Sequence, residues 1–95
     1  MAAYVIGYDL KKPGKDYAQI IDAIKRICPT WCHPLDSTWF VEYSGTAVQL
    51  RDQLLPHIDG NDKLFVGRVT NAAAWYGLGD KVTDWLKSVL NRQPA

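Results

Sequence analysis

Hydrophobic positions along the chain follow two rhythms. Ala3 to Asp9 is a nearly continuous apolar run, β-branched and aromatic, that ends on an acid. Such a run predicts a central strand buried on both faces, and Lys11-Lys12-Pro13-Gly14 is the turn signal that stops it. From Asp16 to Ile27 the spacing becomes helical. Tyr17, Ile20, Ile21, Ile24 and Ile27 make one stripe, while Gln19, Asp22, Lys25 and Arg26 face solvent, and Pro29 closes the helix.

Trp31 to Tyr43 has no helical stripe. Asp36-Ser37 predicts a reversal between two short strands, Trp31–Leu35 and Thr38–Tyr43, with Thr38, Phe40 and Glu42 on one face and Trp39, Val41 and Tyr43 on the other. Thr46 followed three residues later by Gln49 matches a capping box and opens a second helix, whose buried stripe is Ala47, Leu50, Leu54 and Ile58. Pro56 in its last turn predicts a kink or an early end. After the turn Asp59-Gly60-Asn61-Asp62, Lys63 to Val69 reads as a strand. An irregular stretch from Ala72, with Gly77-Leu78-Gly79 letting the chain turn, leads to a third helix, Asp80 to Leu90, with Val82, Trp85, Leu86 and Val89 inward.

The order β-α-β-β-α-β plus a helix fits a single domain over residues 1–95. It predicts an α+β, ferredoxin-like sandwich with an additional C-terminal helix, two helices covering one face of a four-stranded sheet. The opposite face is then a dimer surface or lies beneath the extra helix, and a homodimer is expected.

Composition narrows the function classes. Hydrophobic residues at 47% and charged residues at 22% are globular rather than disordered values. The net charge of +1 lacks the basic excess of a dedicated nucleic-acid binder, so any such contact comes from a local patch or one doubled by dimerisation. No stretch reaches the ~20 apolar residues of a membrane helix. The N-terminus has no basic leader region and meets Asp9 early, and two cysteines are too few for a disulfide framework, so a cytoplasmic protein without membrane contact is expected.

Asp9 is the leading candidate for chemistry. It lies at the carboxyl end of a buried strand, where α/β sheets tend to place ligands, and Lys11, Lys12 and Lys15 follow it. One carboxylate with lysines suits Mg²⁺ or Mn²⁺ plus phosphate oxygens, since Mg²⁺ retains most of its waters. The structural alternative is that Asp9 bonds the amides of the following turn. Asp36-Ser37-Thr38 reads either as hydroxyls near a phosphate or simply as a turn. Cys28, Cys32 and His33 lack the second pair of a zinc site and read as two buried thiols and a partly exposed histidine.

The opening YVIGYDL with Asp9, then LDSTWFVEYS and LFVGRV, resembles the family of CRISPR-associated protein two over roughly residues 3–70. More closely, YDLKKPG-x-x-Y, LDSTW, NDKL, AAW-x-G and WLK resemble small bacterial proteins grouped as SinR-like. The first resemblance implies a ferredoxin-like dimer and either metal-dependent nuclease activity or a scaffold for spacer integration. Asp9 carries over as the acid ending the first strand, hence as catalytic residue and metal ligand. Lys11 or Lys12 matches the basic residue soon after it, and Ser37 a polar residue of the second strand, as substrate contacts. The metal would sit between two Asp9 carboxylates at the dimer two-fold, activating water against a phosphodiester. The tail departs from that family, which ends in a strand crossing to its partner where this chain has a helix.

Two other readings stand beside the nuclease. A non-catalytic homodimeric binding or assembly module, with the sheet face and its aromatics meeting protein or nucleic acid, suits the near-neutral charge and the lack of a second acid near Asp9. A small-ligand sensor is the third.

Overall fold

The computed structural model describes residues 1–11 and 17–93. Its elements are β1 (Ala2–Asp9), α1 (Ala18–Ile27), β2 (Thr30–Leu35), β3 (Thr38–Tyr43), α2 (Ala47–Leu54), β4 (Lys63–Val69) and α3 (Asp80–Leu90), with one 3-10 turn at Leu55–His57. The sheet is antiparallel in the order β2-β3-β1-β4. This is an α+β fold of the ferredoxin-like kind with a helix added at its C-terminal end. β3, β4 and α3 have the bounds the sequence predicts. α1 starts later, because Tyr17 occupies the cap position and stays exposed, while Asp16 lies outside the described residues.

Side-chain alternation along β1 builds two cores. Tyr4, Ile6 and Tyr8 point into the larger one, where Ile20, Ala23 and Ile24 of α1 and Leu50 and Leu54 of α2 meet Trp39, Val41 and Tyr43 of β3. The capping box forms as expected. Thr46 Oγ1 accepts from Gln49 N at 3.1 Å, and Gln49 Oε1 accepts from Thr46 N at 2.8 Å. Pro56 cannot extend the α-helical ladder, and the chain tightens into the 3-10 turn there.

The second core lies under α3, where Leu86, Val89 and Leu90 pack on Ala3 and Cys32, with Phe40, Val69, Trp75, Leu78, Val82 and Trp85 around them. The helix therefore covers the sheet within one chain. Trp85 sits at the margin of this contact rather than at its centre, because α3 seats through its C-terminal turns. Two polar fastenings hold those turns. Gln93, itself buried, accepts from Ala3 N through Oε1 at 3.1 Å and donates through Nε2 to the carbonyls of Val89 and Met1. Buried Glu42 accepts from Thr30 Oγ1 at 2.8 Å and from Arg92 Nη2 at 3.2 Å. Gly77 and Gly79, at φ 79° and 84°, make the turn into α3, and Trp75 Nε1 donates to Thr83 Oγ1 at 3.0 Å to brace it.

Leu86→Ala removes the most deeply buried side chain of α3. It should cost about 2–5 kcal/mol in urea unfolding, as core leucines do. A loss below about 1 kcal/mol would show that α3 is dispensable to the fold.

Burial also pushes the thiols of Cys28 and Cys32 from 9.0 up to about 11. An unfolded chain ionises these thiols near pH 9, whereas the folded chain retains the protons up to about 11. Their contribution to stability is complete below pH 9 and is lost as pH rises through that window. Cys28→Ala/Cys32→Ala should therefore show a shallower alkaline loss of stability than the parent in urea melts between pH 8 and 11. Equal slopes would contradict this.

Candidate functional site

α3 covers the end of its sheet face that holds Ala3, Cys32, Phe40 and Val69, and leaves the other end open. The strand registers fix what lies there. Gly7 sits between Thr38 of β3 and Phe65 of β4, and Asp9 lies opposite Lys63. Among the described residues, nothing stands within 4 Å of where a Cβ on Gly7 would be, so this glycine leaves a gap among them. Phe65 is 64% exposed. Its ring folds back over Gly67, so closely that a Cβ there would come within 2.7 Å of Phe65 Cε2. Gly7, Tyr8, Asp9, Lys63, Leu64 and Phe65 line a shallow depression of about 240 Å³. Exposed Leu35 ends β2 at the same end of the sheet, paired to Thr38.

The Asp9 carboxylate pairs with Lys11 Nζ at 3.1 Å, both side chains being about half exposed or more. An ion pair in that setting contributes at most about 1 kcal/mol. Among the described residues, Asp9 accepts no bond from the turn that follows it, whose residues 12–16 lie outside them. The amide of Lys11 goes instead to Asp62 Oδ1 at 3.0 Å, and Asp62 Oδ2 accepts from Asp59 N at 2.8 Å, which ties the end of β1 to the turn before β4. Among the described residues, no three His, Cys, Asp or Glu side chains gather as ligands for a cation. Asp9 therefore offers Mg²⁺ or Mn²⁺ one carboxylate, shared with the Lys11 ammonium, and the remaining ligands would be water or groups from outside the described residues.

Ser37 lies in the β2–β3 reversal, half-buried, and its carbonyl accepts from Tyr8 N at 3.1 Å. The fold thus brings Asp9, Lys11 and Ser37 to one end of the sheet. Lys12 lies outside the described residues. The Cys28, Cys32, His33 cluster is not one site. Cys28 belongs to the core under α1 and α2 and Cys32 to the core under α3, on opposite faces of the sheet. The His33 ring stacks on Trp39 at 3.9 Å and 12°, with Nε2 2.9 Å from the Asp36 carbonyl.

Phe65 is the residue that sequence reasoning passed over, because it sits in an apolar run that reads as core. The signal was the alternation Lys63, Phe65, Gly67, which places a cation, an aromatic ring and a bare position on one face of a strand. No protein-family model, no curated protein and no solved structure matches this chain.

Proposed function

We propose that this domain binds single-stranded nucleic acid, without cleaving it, on the open end of its sheet around Gly7 and Phe65. The observation that carries this reading is the exposed Phe65 ring, seated over Gly67 beside the gap at Gly7. Any base has a flat face that stacks on such a ring, worth about 1–3 kcal/mol per base. Lys63 lies two residues along the same face of β4, and Lys11 is held farther out by Asp9, as point charges for phosphate. With a net charge of +1 the chain exerts little long-range attraction, so affinity rests on these local contacts. Asp9 then acts as a competitor, since a phosphate reaching Lys11 must displace it.

The metal-dependent nuclease implied by the resemblance uses the same Asp9 with the opposite sign, as an essential ligand shared across a two-fold. Asp9→Asn therefore separates the two. Under the binding reading, Asp9→Asn tightens binding of a labelled oligo-dT or oligo-U 12-mer. Phe65→Ala weakens it by roughly fivefold to 150-fold, the equivalent of one lost stack, with little change in melting temperature because the ring is exposed. Two phosphate contacts on a single strand correspond to a slope of about −1.4 in log K against log salt. Fluorescence anisotropy measures all three. A parent that binds neither oligomer at 100 µM in low salt overturns the reading, and Mn²⁺-dependent cleavage lost in Asp9→Asn replaces it with the nuclease.

A further inference from the structure

The two edges of the sheet are built differently. β2 contains Pro34 and a register shift between Cys32 and Leu35. Both features spoil an edge as a template for further strands. β4 has neither. Its seven residues all pair with β1 in unbroken register, from Asp9–Lys63 to Ala3–Val69. Among the described residues, no hydrogen bond is made to its outer edge. A long, regular, proline-free edge of this kind presents an open ladder of amides and carbonyls.

What such a ladder accepts is decided by the side chains flanking it. The segment Lys63-Leu64-Phe65-Val66-Gly67-Arg68-Val69 is complementary to itself when read antiparallel about Val66. Phe65 falls opposite Gly67, Leu64 opposite Arg68, and Lys63 opposite Val69. In the single chain Phe65 lies over its own Gly67; in the pair the ring turns onto the Gly67 of the other copy, and an aromatic side chain opposite a glycine steadies the glycine strand. Charge agrees with the same register. The turn before β4 carries Asp59 and Asp62, and exposed Arg68 lies near the strand's other end. Antiparallel pairing sets the Arg68 of each copy opposite Leu64 of the other, two positions from Asp62 at the end of the acidic turn, twice by symmetry. Parallel pairing would set like charges side by side.

We propose that β4 pairs antiparallel with β4 of a second copy of this chain, centred on Val66, joining two four-stranded sheets into one of eight. The contact is a strand edge, not the sheet face that the sequence suggested for a homodimer. The two Phe65 rings become diagonal neighbours across the two-fold, a separation of about 7–8 Å that aromatic side chains bridge. The pairing does not depend on the nucleic-acid reading.

Sedimentation velocity from 1 to 200 µM tests it. The parent should dimerise, and Arg68→Glu should weaken the dimer at least tenfold while melting like the parent, since this side chain lies outside both cores. Register is read by cross-linking. Cys28 and Cys32 are buried in the folded protein, so an engineered cysteine on the strand is the reactive thiol. A mixture of Lys63→Cys and Val69→Cys chains should give a disulfide-linked heterodimer in preference to either homodimer. A parent that is monomeric at 200 µM overturns the proposal. So does a dimer that ignores Arg68→Glu and shows no preference for the 63–69 link. Oligonucleotide binding by monomeric Arg68→Glu is measured separately, so either idea can fail without the other.

Discussion

A hydrogen bond in the middle of the larger core sets the geometry of everything else. Trp39 is fully buried, and its Nε1 donates to the Tyr8 hydroxyl at 3.1 Å. Burying an indole of 150–250 Å² contributes about 4–6 kcal/mol at roughly 25 cal/mol per Å². Its N–H would cost about 1–3 kcal/mol if left without a partner there. Trp39 pairs across the ladder with Ile6, and Tyr8 is the diagonal neighbour on the same face. A slip of one residue would turn Trp39 out of the core and break this bond, so the β1–β3 register is held firmly. The same register sends Gly7 and Asp9 to the opposite face. Trp31 and His33 close the outer side of Trp39, with Lys25 Nζ 5.0 Å from the centre of the Trp31 ring.

The second face depends on how far α3 reaches. Its apolar stripe is long enough to seal one end of the sheet, and Gln93 and the Arg92–Glu42 pair decide which end. Glu42 shows why polar groups define position here. It is buried on a strand, and the Thr30 hydroxyl and Arg92 guanidinium satisfy it only when α3 docks in this place. Such a pair contributes more to a unique arrangement than to net stability, because desolvating the charges offsets much of their attraction. The open end, with Phe65 on it, is the remainder of that arrangement.

Local signals in the sequence were legible. Alternation gave β3 its two faces, the Thr46–Gln49 spacing gave the start of α2, and the stripe from Val82 to Val89 gave α3. Pro56 marked where α2 stops. The contacts that place α3 were not legible, since Gln93 and Ala3 stand 90 positions apart and Arg92 and Glu42 stand 50 apart. No periodicity relates such pairs. Asp9 stood out as an acid closing an apolar run, but its pairing with Lys11 and the role of Asp62 in the turn depend on the path of the chain. Cys28 and Cys32 look like neighbours in sequence, yet the chain passes from the end of a helix into a strand between them and delivers the two thiols to opposite faces.

The position of β1 has a consequence for how the molecule assembles. It precedes all the other strands, yet it lies between β3 and β4, pairing Ile6 with Trp39 on one side and Val66 on the other. During synthesis its two edges have no partner until residues 38–43 and then 63–69 have been made, and the Ala3 amide has no acceptor from Gln93 until the chain reaches α3's end. Pairings between distant parts of a chain are slow to close. An apolar strand left with both edges bare meanwhile is the segment most exposed to capture by another chain.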